Sequence, residues 1–277
     1  MKVLFYDEGQ KYSKTALNFF AGIFGSTNAD VTIFTVDKES AAKTESYMKS
    51  AQETLKKKGF KNTDVKTYSG PAQKVLKQEL GADNDIIFVK GMPEMNSIIA
   101  EVAEQDIDEV SKKILANLRN SVLFVKNPPK QLRKVLICTD GSAEAEGAID
   151  FFSNLKLDPQ PQVKILNVIP STFKFFKSYL EPAGESELAV LVKIKNKRTK
   201  FLYNAKQILA KAGIKAKIKL RTGNAVDEII KESEMDFDLI VLGLRGRKAS
   251  TKDTIGRQAK EALIRAKCSV LAVRGAK

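Results

Sequence analysis

Three glycines and a cluster of cations stand together between Asp238 and Gln258, in the stretch DLIVLGLRGRKASTKDTIGRQ. Gly243 and Gly246 follow directly on an apolar run, and Gly256 comes after nine further residues rich in Arg, Lys, Ser and Thr. Such residues suit phosphate binding. Glycines let backbone N–H groups approach an anion, and a helix N-terminus adds partial positive charge. Leu239 to Leu242 has the length of a buried strand, and Ala259, Leu263 and Ile264 have helical spacing. A strand, a basic glycine loop and a helix start are expected in that order. Neither G-x-x-x-x-G-K-[ST] nor G-x-G-x-x-G occurs, so the P-loop and the dinucleotide signature are set aside. Spacing alone equally allows a surface loop with solvated charges.

The rest of the chain narrows the chemistry further. It has 277 residues, 43% hydrophobic and 29% charged, the composition of a globular protein of one large or two ordinary domains. Histidine is absent and there are two cysteines, which removes His-based acid–base chemistry, Ser-His-Asp triads and most transition-metal sites. No catalytic residue and no metal site is assigned. Cys138 and Cys268 each lie in an apolar run, as buried reduced thiols would, and no leader or membrane span is visible. A cytoplasmic protein is expected. Residues 1–128 carry 18 basic and 17 acidic side chains, so nearly all of the net charge of +14 belongs to the remainder. A phosphate ligand or polyanion would favour that second part.

The elements that must position the loop occur twice. VLFYDEG at 3–9 matches VLICTDG at 135–141, which sets Asp7 opposite Asp140. Asn18-Phe19-Phe20 matches Asp150-Phe151-Phe152, DIIFV from Asp85 matches DLIVL from Asp238, and SVLFVK from Ser121 matches SVLAVR from Ser269. Four matches in one order mark an internal repeat. Apolar runs alternate with helical patterns in each copy, the signature of βαβ units and a parallel sheet. Strands are predicted near 2–7, 31–36, 63–68, 85–90 and 120–126, then near 133–139, 162–169, 215–221, 238–242 and 269–274. Helices are predicted near 13–24, 40–59, 71–80 and 97–118, then near 142–154, 187–212, 224–234 and 256–266. Pro128 and Pro129 end the first copy, giving domains at 1–128 and 131–277, each a doubly wound, flavodoxin- or Rossmann-like α/β unit with five parallel strands.

The spacing G-x2-G-x9-G after the fourth strand of the second copy resembles the ATP-binding loop of the universal stress protein family. The resemblance extends over the whole chain, most specifically in the second half. It implies strand order 3-2-1-4-5 in each half and an internal pseudo-dimer through the last strands, 120–126 and 269–274. It also implies an ATP or ADP site, with or without Mg²⁺, in the second half. Asp140 matches the family's ribose-side acid, Val168 the backbone contact to adenine, and Gly243, Gly246 and Gly256 the phosphate loop. Gln258 matches a further backbone contact, and Arg245 adds charge beside the loop. In the family the last glycine precedes Ser or Thr, whereas here Arg257 stands there. A cation at a helix start opposes the dipole unless an anion is present, so Arg257 either reaches a phosphate or blocks its place. Each residue also has a plainer reading. Asp140 could cap a helix, Val168 could be ordinary core, and the glycines could serve turn geometry alone.

The matching loop of the first half holds Gly91 as its only glycine, with Glu94, Glu101, Glu104, Asp106, Asp108 and Glu109 behind it. Those carboxylates would repel a triphosphate, so this half is expected to bind no nucleotide. Phe173, Phe175, Phe176 and Tyr179 alternate with lysines at 171–186, and KIKNKRTK follows at 193–200. The aromatic segment fits a flap over the cleft, an oligomer contact or packing on the protein's own helices, and the lysine run fits a solvated helix face. The expected function is stress-linked regulation through nucleotide occupancy and protein partners, without catalytic turnover. Further homodimerisation stays open. The alternative is a nucleotide-independent scaffold closed by Arg257. Nucleic-acid binding by the basic half and an adenylating enzyme are the rivals set behind it.

Overall fold

A computed structural model describes residues 1–36, 41–70, 74–75, 78–79, 86–92, 120–171, 200–246 and 255–275. Ten strands form one sheet: β1 (Lys2–Tyr6), β2 (Asp30–Val36), β3 (Asn62–Tyr68), β4 (Ile86–Gly91) and β5 (Ser121–Val125), then β6 (Lys134–Cys138), β7 (Gln162–Ile169), β8 (Ala216–Thr222), β9 (Leu239–Gly243) and β10 (Ser269–Val273). Among the described residues the helices are α1 (Lys11–Phe24), α2 (Ala41–Lys57), α3 (Ala143–Ser153), α4 (Lys200–Lys211), α5 (Ala225–Ser233) and α6 (Arg257–Arg265). Every predicted strand is present within a residue or two. The predicted helices at 71–80 and 97–118 lie largely or wholly outside the described residues, as do the start of the helix predicted at 187–212, the acidic run, the aromatic segment at 171–186, the lysine run at 193–200 and loop 247–254.

The sheet order is β3-β2-β1-β4-β5-β10-β9-β6-β7-β8, so each half shows the expected 3-2-1-4-5. Within each half the strands run parallel, and the halves join where β5 and β10 pair antiparallel. Phe124, Leu123 and Val122 face Val270, Leu271 and Ala272 across this seam, and all six are fully buried. Both faces of the sheet are covered. Val3, Phe5, Val135 and Ile137 point to one apolar layer, which includes residues of α1 to α4, while Leu4, Tyr6, Leu136 and Cys138 point to the other, which α5 and α6 join in the second half. Burial on both faces explains why the central strands read as continuous apolar runs rather than alternating ones.

The register corrects two of the sequence matches. Val3 pairs with Ile87 and Val135 with Leu239, so Ile87 corresponds to Leu239 and the DIIFV match is off by one residue. The Asp7–Asp140 match is also off by one. Asp7 Oδ1 accepts the Gly9 N–H at 2.8 Å, as Thr139 Oγ1 accepts the Gly141 N–H at 3.1 Å. Gly9 and Gly141 share the same left-handed turn, with φ of 70° and 74°. Asp7 therefore corresponds to Thr139, and Glu8 to Asp140.

A candidate nucleotide cleft at the strand ends

Doubly wound sheets place ligands at the carboxyl ends of strands where the order reverses, here between β6 and β9. The β6–β9 ladder ends at Ile137↔Val241, one pair short of the equivalent β1–β4 ladder, which runs on to Tyr6↔Lys90. The strands part above that point. Cys138 and Leu242 line a cleft there with an empty volume of about 570 Å³, its open mouth included.

Six of the eight predicted site residues line this cleft: Asp140, Val168, Gly243, Arg245, Gly246 and Gln258. Asp140 is exposed at the end of β6, and its Oδ1 accepts the Ser142 N–H at 2.9 Å. The cap of α3 is Ser142, whose side chain accepts from Ala145 N, so Asp140 is not the cap itself. Gly246 lies directly across the mouth. A Cβ on it would come within 3.1 Å of Asp140 Oδ2 and 3.6 Å of Gln258 Oε1. Val168 is half-buried near the end of β7 and packs against the second apolar layer. Gly243 has a different task. A Cβ there would meet Ala145 N and Glu144 C at 2.9 Å, so this glycine allows β9 and the start of α3 to approach.

Gly256 and Arg257 sit just behind the lining. The Gly256 N–H donates to Leu244 O at 2.8 Å, which folds the far end of the loop onto its beginning. Gly256 is also the N-cap of α6 and supplies no side-chain cap. The contrast with its neighbours is chemical. Glu144 and Glu146 lie in the first turn of α3, Asp227 and Glu228 in that of α5, and no acidic residue in that of α6. The first turn of α6, beside the cleft, thus carries no carboxylate of its own to neutralise the positive end of the helix. Arg257, its first residue, is exposed and outside the cleft lining.

The Arg245 guanidinium is engaged elsewhere. Its Nε donates to Glu144 Oε1 at 2.6 Å, Nη2 meets the same oxygen, and the Arg245 N–H donates to Glu144 Oε2 at 3.0 Å. This pairing ties the glycine loop to α3, across 101 residues of sequence. Sequence reading also passed over Asn167. Its Nδ2 donates to Thr139 O at 2.8 Å, locking the ends of β6 and β7 together, and it lines the cleft. An amide within the apolar run QVKILNVI was the available signal. Ala225 and Ile229 of α5 complete an apolar wall beside Val168. Burial pushes the Cys138 thiol up, so it stays neutral against that wall.

At the same place in the first half, Lys90 occupies the position of Leu242, and Glu8 that of Asp140. Lys90 is fully buried, and its Nζ donates to Glu8 Oε2 at 2.7 Å. The Tyr12 hydroxyl donates to the same carboxylate oxygen at 2.7 Å. Asp7 lies beneath, fully buried, and burial raises its carboxyl above the usual range despite the Gly9 N–H bond.

A parallel doubly wound sheet with a glycine-framed cleft at its switch point defines an α/β protein of the flavodoxin or Rossmann kind. The universal stress protein family model matches residues 131–274, just over half of the chain, and the chain belongs to that family. Universal stress protein Slr1230 of Synechocystis is 23% identical over 225 residues, covering 81% of this chain and 69% of that protein. The fold is shared with a universal stress protein from Archaeoglobus fulgidus, at TM-score 0.65 and 13% identity over 99% of this chain and 98% of that one. It is shared also with a functionally unknown Pseudomonas aeruginosa protein, PA1789, at TM-score 0.67 and 14% identity over 99% and 92%. Among the described residues no helix is long and apolar enough to cross a membrane.

Proposed function

We propose that the second half binds an adenine nucleotide, ATP or ADP, and that occupancy, not turnover, is what the protein signals to its partners in the cytoplasm. The observation that carries this reading is convergence. Asp140, Gly246 and Gln258 meet at the mouth of one cleft, beside a helix start that lacks both a side-chain cap and an acidic residue. In this arrangement the apolar wall of Val168, Ala225 and Ile229 takes the base, and Asp140 accepts a ribose hydroxyl. The loop and the α6 N-terminus take phosphate. Arg257, exposed at that N-terminus, is positioned to reach a terminal phosphate from outside rather than to fill the cleft. The first half is proposed to bind no nucleotide, because Lys90 and Glu8 occupy its crevice.

Calorimetric titration of nucleotide-stripped protein with ATP and ADP, each with Mg²⁺, tests this reading. About one equivalent per chain is expected, with binding lost in Gly246→Leu, whose Cβ would already stand within 3.1 Å of Asp140 Oδ2 and 3.6 Å of Gln258 Oε1 at the mouth. No heat and no shift in melting temperature at millimolar nucleotide would leave a nucleotide-independent scaffold as the reading.

A further inference from the structure

Lys126 directly follows β5 in the first half, yet its side chain belongs to the second. It is 1% exposed, and its Nζ donates to Leu263 O at 2.7 Å, Ile264 O at 3.0 Å and Ala266 O at 2.9 Å. These carbonyls end α6 and have no partner within the helix. An ammonium has three donors, so the match is complete, and its charge lies at the negative end of the helix dipole. Burial lowers the Lys126 pKa to about 8, so the group keeps its proton at neutral pH while buried. The neighbouring main chain is pinned as well. Lys126 N–H donates to Ser269 Oγ at 3.2 Å, and Asn127 Nδ2 donates to Lys267 O at 3.1 Å.

The opposite end of α6 is the cleft. Gln258 and Ala259 line it, and Gly256 N–H holds the glycine loop through Leu244 O. Between the two ends, Ala259, Ala262 and Leu263 bury against the second apolar layer. Nine residues make a rod of only about 13 Å, too short to absorb a shift at one end by bending.

We propose that Lys126 is a positioning residue for the phosphate-binding end of α6, so that the first half sets the geometry of the second half's nucleotide site. The first half is then part of the binding apparatus without touching the ligand. This inference rests on the nucleotide reading above, and part of its test does not.

Amide hydrogen exchange on the full chain without nucleotide, comparing wild type with Lys126→Met, reads the positioning directly. Exchange at Gly256 and Lys260, bonded to Leu244 O and Gly256 O, is expected to speed up about tenfold relative to β7 amides. Ser269→Ala serves as the comparison, since it loosens the seam while leaving the three carbonyl bonds in place. It is expected to lower global stability without that local change. In calorimetry, Lys126→Met is expected to weaken ATP about tenfold and Ser269→Ala less than twofold. If both variants speed Gly256 and Lys260 only in proportion to lost stability, Lys126 merely holds the seam and the proposal fails. If wild type binds no nucleotide, the cleft reading fails instead, and exchange alone decides whether Lys126 positions α6. Should Lys126→Met not fold, Lys126→Gln, which keeps two N–H donors, carries the same comparison.

Discussion

The two crevices of this chain have the same strand order and the same left-handed glycine turn, and differ in what fills them. In the second, Leu242 and Asp140 border an open cleft. In the first, Lys90 and Glu8 join across the same gap at 2.7 Å, with Tyr12 on the same carboxylate. A lysine in place of a leucine at one strand end is enough to pair with the facing acid. The first half keeps the architecture of a binding site and uses the space for an internal ion pair.

Removing one partner tests that contrast most strongly. Glu8→Ala leaves Lys90 buried without that carboxylate and is expected to cost roughly 3–5 kcal/mol in urea unfolding. Asp140→Ala, at the equivalent exposed place, is expected to cost under about 1 kcal/mol and to act on nucleotide affinity instead. Equal costs would show that the pair is not what fills the first crevice.

The glycine retained in both halves gives a smaller effect. A Cβ at Gly91 would meet Ala16 Cβ at 2.9 Å, and one at Gly243 would meet Ala145 N at 2.9 Å. Gly91→Ala and Gly243→Ala are each expected to lower stability by roughly 1–3 kcal/mol, by the same unfolding measurement. A similar loss in the half where Lys90 and Glu8 pair would assign this glycine to strand–helix approach rather than to ligand. If only Gly243→Ala mattered, the plainer reading would be lost.

The smallest effect is a gain. Asp7 occupies the place of Thr139 and makes the same turn bond to a glycine N–H, but with a buried carboxyl. Its native pKa lies above the unfolded value because burial disfavours the charge. The cost is therefore fully present at neutral pH and relieved as pH falls through the native pKa towards the unfolded one. Asp7→Thr is expected to raise the unfolding midpoint at pH 7, with the gain shrinking on acidification. A midpoint unchanged at pH 7 would mean that the buried carboxyl carries no such cost.

Much of this was legible in the sequence, for identifiable reasons. Strands buried on both faces leave uninterrupted apolar runs, and the glycine spacing survives wherever backbone must come close. Six of the cleft residues were named from the glycine loop, its charge and the family resemblance it carries. Lys90 and Lys126 were not, because a lysine closing an apolar run reads as a strand end entering solvent. Only the register shows that one meets Glu8 and the other the end of α6. Within a correctly placed repeat at 3–9 and 135–141, Asp7 was paired one residue off, with Asp140, whereas the backbone bonds match it to Thr139. Arg245 looked free for phosphate because its partner, Glu144, is remote in sequence.

The antiparallel seam between β5 and β10 has a consequence for how such a molecule can change. When two identical chains meet across a two-fold axis, every substitution enters the joint twice, and each side must tolerate its own image. Here both sides are written into one chain. Lys126 can follow one strand and Arg274 the other, and one strand end can carry a buried Lys90–Glu8 pair while its twin carries Leu242 beside a cleft. Covalent linkage has freed the two halves from having to be the same.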